Sequence, residues 1–234
     1  MTIDYQMDLT QLSKNFSTDK STHHSYTKHY DFHFSSLRNK PLKLLEIGVG
    51  GYSNFEEGGG SLKMWKEYFS QSNIYSFDIV DKTHLSEERI QIYHGDQSDN
   101  NFLQSLIDSV GTLDIIIDDG SHYNSHVLST FEFLFPKLNN GGIYVVEDTQ
   151  TSYWKSMGGD SIHSQNSNTI MNFFKSLSDG LNYREYISPG YQPTYYDQNI
   201  NSIHFYHNLI FVHKDENIEE SNIIQNNCGN SWAY

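Results

Sequence analysis

Hydrophobic positions along the chain switch repeatedly between two spacings. Short apolar runs at Leu42–Ile47, Asn73–Ile79, Ile90–Tyr93, Leu113–Asp118 and Gly142–Val146 have strand length, and several are rich in β-branched residues. They read as strands buried on both faces, as in a parallel sheet. Between them the spacing turns helical, at Leu62–Phe69, at Phe102–Val110 (apolar at 102, 103, 106, 107 and 110) and at His126–Phe135, which Pro136 stops. Strand and helix in alternation predict an α/β fold with a doubly wound, mostly parallel sheet. Beyond Asp148 the pattern loosens. A helix is predicted over Thr169–Leu181, and Ser202–Tyr206 with Leu209–His213 is predicted to close the sheet as an antiparallel edge. Residues 1–40 are a polar, His- and Tyr-rich lead-in with one predicted helix near Tyr26–Leu37, expected to form a helical lid. Residues 41–215 form the expected α/β domain and 216–234 a tail.

The polar residues that carry chemistry sit where these strands end. Leu113-Asp114-Ile115-Ile116-Ile117 runs into Asp118-Asp119-Gly120-Ser121-His122, and Ile143-Tyr144-Val145-Val146 runs into Glu147-Asp148. Open α/β sheets bind ligands just outside the carboxyl ends of their strands. Up to four carboxylates and an imidazole are therefore aimed at one crevice. Acids so crowded are costly unless a cation neutralises them, so the pattern points to a hard metal ion with a titratable base beside it. The plainer alternatives are an Asp-Gly-Ser turn and a helix-capping Glu-Asp. Asp118 and Asp119 should point to opposite sides of the extending strand.

A cofactor site is expected at the first glycine loop, Glu46-x-Gly48-x-Gly50-Gly51. Glycines between a strand and a helix expose backbone N–H groups and the positive helix end. The loop matches a dinucleotide fingerprint only in part. Asp78, ending the next strand, suits ribose hydroxyls of either NAD or S-adenosylmethionine. Asp96-Gln97, after the third strand, suits an adenine edge.

Composition narrows the class. The chain has 234 residues, only 19% charged, with net charge −14. That balance argues against a nucleic-acid backbone or an anionic membrane as partner. A lone cysteine, Cys228, excludes a disulfide framework and a cysteine-based zinc site. An all-oxygen set instead selects Mg²⁺, Mn²⁺ or Ca²⁺. The polar start of the chain lacks the apolar run of a signal peptide, and cytoplasmic residence is expected.

Six ordered motifs then carry a specific likeness: Leu45-Glu46-Ile47-Gly48-Val49-Gly50-Gly51-Tyr52, Gly59-Gly60-Ser61-Leu62-Lys63-Met64-Trp65, Asp78-Ile79-Val80-Asp81-Lys82, Gly95-Asp96-Gln97-Ser98-Asp99, Asp118-Asp119-Gly120-Ser121-His122 and Glu147-Asp148-Thr149-Gln150-Thr151-Ser152-Tyr153-Trp154. Together with Thr18-Asp19-Lys20, His23-His24-Ser25-Tyr26 and Ser202-Ile203-His204-Phe205-Tyr206-His207-Asn208, over roughly residues 16–215, the sequence resembles the metal-dependent sugar O-methyltransferases of macrolide tailoring. The resemblance implies a Rossmann-like class I methyltransferase fold. It implies an S-adenosylmethionine site made by Glu46, Gly48, Val49, Gly50, Gly51, Tyr52, Ser61 and Asp78, with Asp96 and Gln97 at the adenine end. It further implies Mg²⁺ (or Mn²⁺) on Asp119, Glu147 and Asp148, with His122 as general base. The implied partner is a small hydroxylated or glycosylated acceptor, with a homo-oligomer left open. Two other readings share part of the pattern: a tailoring enzyme akin to cephalosporin hydroxylases, and a non-catalytic adenosine-cofactor binding module.

Overall fold

The computed structural model describes residues 7–163 and 165–221. Cys228 and residues 222–234 of the expected tail lie outside the described residues. Seven strands form one sheet: β1 (Lys43–Ile47), β2 (Asn73–Asp78), β3 (Ile90–His94), β4 (Leu113–Asp118), β5 (Leu138–Glu147), β6 (Ile200–Tyr206) and β7 (Leu209–Lys214). Their order is β3-β2-β1-β4-β5-β7-β6. The first five run parallel, and β7 pairs antiparallel with both β5 and β6. The expected antiparallel edge is present. β1 and β4 are neighbours in space but not in sequence, so the winding reverses between them and opens a crevice at their carboxyl ends.

Seven helices accompany the sheet among the described residues: α1 (Leu9–Asn15), α2 (Thr27–Phe34), α3 (Gly60–Tyr68), α4 (Asn100–Val110), α5 (Asn124–Leu134), α6 (Ile170–Gly180) and α7 (Tyr195–Asn199). Strand alternation divides the core into two layers. Leu44, Ile115, Ile117, Ile143 and Val145 pack under α1, α2 and α3. Leu45, Ile47, Ile116, Tyr144 and Val146 pack under α4, α5 and α6.

Three elements differ from the hydrophobic pattern: α1, β5 and the five-residue α7, whose start is set by a capping box between Thr194 and Asp197. α1 was not predicted: it carries two apolar residues, Leu9 and Leu12, too few to show a period. Its start is instead fixed by a capping box, in which the Asp8 carboxylate accepts the Gln11 N–H at 2.8 Å and the Gln11 side chain accepts the Asp8 N–H. β5 begins at Leu138 rather than Gly142. Leu138 pairs with Leu113 across a register shift, and the intervening Asn-Asn-Gly shows no apolar alternation to announce a strand.

The N-terminal segment is packed into the first core layer. Leu9, Leu12, Tyr26, Tyr30 and Phe34 are all buried there, and the Tyr30 ring meets Trp65 and Phe211 edge-on, at 5.0 and 5.3 Å. Leu12→Ala should therefore cost about 2–5 kcal/mol of stability in urea unfolding, as core truncations do. A change within about 0.5 kcal/mol, normal for a surface position, would mean the segment is not part of the core.

Candidate active site

The phase of the central strands decides which acids meet. Glu46 of β1, Asp119 just past β4 and Glu147 of β5 continue the alternation of Leu44, Ile117 and Val145, so all three project toward the α1–α3 layer. Their carboxylate oxygens lie within 4.8 Å of one another. Asp118 is out of phase and faces the opposite layer. It is wholly buried and accepts bonds from Gln97 Nε2 at 3.3 Å and the Tyr144 hydroxyl at 3.5 Å. Burial, only partly offset by His122 and Gln97, pushes its carboxyl up to about 6.

The N-terminal segment delivers a cation into this cluster. Lys20 is fully buried, with its ammonium 2.6 Å from Glu147, 2.8 Å from Asp119 and 3.0 Å from Glu46. Burial alone would lower its pKa, but Asp119, Glu147 and Glu46 together overcome that and raise it well above the ordinary lysine value. Burial and Asp119 raise Glu147, against the pull of Lys20. Glu46 is likewise raised by burial, against the pull of Lys20 and a hydrogen bond from Ser61. The Tyr30 hydroxyl, from α2, donates to Glu147.

Beside this closed half lies an open one. His122 Nε2 is 3.7 Å from Asp148 and 3.9 Å from Asp119. The side chains of Asp119, His122 and Asp148 remain 26%, 24% and 19% exposed, whereas Lys20, Glu46 and Glu147 are 1%, 0% and 2% exposed. A ligand therefore reaches the site from the His122 side. His122 and Asp148 both adopt left-handed backbone conformations, with φ of 56° and 53°, which is costly for residues other than glycine. The Tyr26 hydroxyl, one helical turn before Tyr30, donates to Asp148 at 2.8 Å.

The open half faces a cleft of about 1240 Å³. Its floor is the glycine loop after β1, joined by residues of the N-terminal segment such as Thr18 and His23. Gly48 has φ of 94°, and a Cβ there would lie 2.4 Å from the Asp119 carbonyl oxygen. Only glycine lets the loop pass this close to the turn after β4. Asp78 fixes the loop by accepting the Val49 N–H at 2.9 Å and takes the Val80 N–H at 2.9 Å with its other oxygen. The fully buried Lys82 ties the loop's far side through the carbonyls of Gly50 (3.1 Å), Glu57 (2.6 Å) and Asn54.

The expected site residues thus fall into distinguishable places. Gly48, Val49, Gly50, Gly51, Tyr52, Ser61, Asp78, Asp96 and Gln97 all line the cleft, as do Asp119, His122 and Asp148. Tyr52 swings its ring almost wholly into solvent. Glu46, expected with the cofactor loop, belongs to the buried acid cluster. Gln97 directs its amide into the protein: besides Asp118, it donates to Thr130 at 3.2 Å and accepts the Ser121 N–H at 2.6 Å. Asp119 is the carboxylate common to both halves, one set joining it to Glu46 and Glu147 and the other to His122 and Asp148. These hard donors fit an oxygen-seeking dication, since the four acids outnumber the one ammonium beside them. Lys20 and Lys82 lie within motifs that carry the likeness, but no chemical role was expected of them, because a lysine in a polar stretch has no periodicity to expose it. Tyr26 and Tyr30 did leave a signal, four residues apart on one helix face.

A family model described as a methyltransferase domain matches residues 45–149. The chain is 46% identical over 214 residues to mycinamicin VI 2''-O-methyltransferase of Micromonospora griseorubida, covering 91% of this chain and 54% of that protein. It is 45% identical over 212 residues to 8-demethyl-8-alpha-L-rhamnosyl tetracenomycin-C 2'-O-methyltransferase of Streptomyces olivaceus, covering 89% and 55%. Among solved structures it matches the mycinamycin-pathway methyltransferase MycE in complex with Mg, SAH and mycinamycin VI, with TM-score 0.88 and 45% identity over 92% of this chain and 55% of that one. The chain spans about half the length of these relatives.

If Lys20 is the countercharge for the buried acids, Lys20→Met should destabilise the metal-free protein by about 3–5 kcal/mol, as stranding buried charge does. Urea unfolding in EDTA measures it. A loss below about 1 kcal/mol would show that the acids do not depend on the ammonium.

Proposed function

We propose that this homologue of the sugar O-methyltransferases transfers a methyl group from S-adenosylmethionine to a hydroxyl of a sugar or polyol group on a small natural product, at a carboxylate-bound Mg²⁺. The observation that carries this reading is the meeting of His122, Asp119 and Asp148 at the mouth of the cleft that the glycine loop floors. Its homology to enzymes that methylate glycosyl hydroxyls supports the acceptor class. In this reading Asp119 and Asp148 would hold the metal at the open end together with Glu147, which is ion-paired to Lys20 beside Asp119, and the Gly48–Gly51 loop with Asp78 would hold the cofactor. Each Asp78 oxygen accepts one backbone N–H and so keeps a lone pair for a ribose hydroxyl.

Bound there, S-adenosylmethionine would supply an electrophilic methyl group, and Mg²⁺ would lower the pKa of the reacting hydroxyl. His122 takes the proton that this hydroxyl releases as its oxygen bonds the methyl carbon and the methyl–sulfur bond breaks, its electron pair staying on sulfur to leave S-adenosylhomocysteine. The imidazolium so formed lies within 3.9 Å of two carboxylates, which stabilise its charge. Tyr26 and Tyr30 hold Asp148 and Glu147 by hydrogen bonds, and so orient the acids without touching the acceptor.

Purified protein assayed with labelled S-adenosylmethionine over a panel of glycosylated metabolites should transfer label, and excess EDTA should abolish the transfer. Full activity in EDTA contradicts the metal's part in the proposal. His122→Ala should lower kcat by roughly 10²–10⁴-fold, the range for a positioned general base, with melting temperature and S-adenosylhomocysteine affinity near wild type. A destabilised variant whose kcat per folded molecule is preserved would make His122 a structural residue.

A further inference from the structure

A second group of metal-ligating side chains lies on the outer strands, apart from the carboxylates. Two-residue alternation puts Ser202, His204 and Tyr206 of β6 on one face of the terminal hairpin. The register pairs His204 with Phe211 and Ser202 with His213, so Phe211 and His213 of β7 share that face. α2 packs on it. His33 stacks on Phe211 at 4.1 Å, and His29, one turn earlier, stacks on Tyr206 at 3.8 Å. Three imidazoles therefore converge from three elements: His33, His204 and His213 offer ring nitrogens that lie within 4.8 Å of one another.

We infer that His33, His204 and His213 form a binding site for a borderline transition-metal ion, with Zn²⁺ the simplest occupant. Imidazole nitrogens favour Zn²⁺, Ni²⁺ and Cu²⁺ over Mg²⁺, and three histidines with one open position make a common zinc geometry. His213 Nε2 is already 2.9 Å from His33 Nδ1. Tetrahedral zinc with Zn–N of ~2.0–2.1 Å spaces its nitrogens by roughly 3.3 Å, so the rings need part by only a few tenths of an ångström. An ion at this point replaces the hydrogen that the two nitrogens share. His33 then carries its proton on Nε2, which lies 3.1 Å from the Tyr206 hydroxyl, and His213 carries its proton on Nδ1, with no net proton released. Tyr206 is thus the outer partner that fixes the His33 tautomer, as supporting contacts do in metal sites. Burial and the adjoining imidazoles keep His33 and His213 uncharged, at about 3 and about 4. His204 and His213 are only half-buried, which leaves an entry path from the sheet edge.

The bound ion would join α2 to the β6–β7 hairpin, and α2 is the helix that carries Tyr26 and Tyr30 to the carboxylates. Titration of the purified protein with Zn²⁺ in millimolar Mg²⁺, which fills the carboxylate site, tests the inference. One equivalent should bind and raise the melting temperature by mass action, in wild type and in Asp119→Asn alike. His204→Ala, on the edge strand where folding is least at risk, and His213→Ala should each weaken binding by at least the 10–100-fold that loss of a supporting contact costs a metal site. Co²⁺ in place of Zn²⁺ should give visible ligand-field bands that His204→Ala abolishes while circular dichroism stays native. Three results overturn the site: no equivalent bound by wild type, binding lost in Asp119→Asn, or wild-type affinity in either histidine variant.

Discussion

Three carboxylates held around a buried ammonium set the terms for everything else in this molecule. Glu46, Asp119 and Glu147 come from three adjacent strands whose phase sends them to one face. Buried like-charged acids cannot all stay ionised without a cation. Lys20 meets that need from a segment distant in sequence, so residues near the N-terminus have to fold over the ends of β1, β4 and β5. α1 and α2 are therefore built like core elements, with Leu12, Tyr30 and Phe34 buried. The same helix that anchors the segment presents Tyr26 and Tyr30 to the acids. Countercharge, orientation and packing thus come from one stretch of chain.

The open half of the site has a different logic. His122 and Asp148 each depart from the end of a parallel strand in a left-handed conformation, worth about 1–3 kcal/mol of strain apiece. The turns point both side chains back over the crevice, where a simple continuation of the strands would carry them past it. Gly48 removes the Cβ that would collide with the Asp119 carbonyl, and so lets the glycine loop and the turn after β4 lie side by side. A methyl donor on one and an acceptor hydroxyl on the other would be neighbours for that reason.

Most of the sheet was legible because its strands are buried on both faces and read as unbroken apolar runs. The acids were legible because they end those runs. Less was visible wherever a role depends on contacts across the chain. Glu46 looked like part of the cofactor loop, yet strand phase turns it inward to Lys20. Gln97 followed a strand end as an adenine reader would, but its amide is bonded to Asp118, Thr130 and Ser121. α1 is held by a capping box and two leucines, which no periodicity reveals. The histidines of α2, β6 and β7 gave no signal in sequence because they are 171 and 9 residues apart, and they meet only through hairpin register.

The proposed metal-assisted methyl transfer differs from oxidation of the acceptor and from mere cofactor binding in the product it forms. Mass spectrometry of the product formed with S-adenosylmethionine, Mg²⁺ and a glycosylated acceptor tests it most directly. Methyl transfer gives a product heavier than the acceptor by one CH₂, with S-adenosylhomocysteine formed in equal amount. A product heavier by one oxygen, or S-adenosylmethionine bound and left unchanged across a broad acceptor panel, would contradict it.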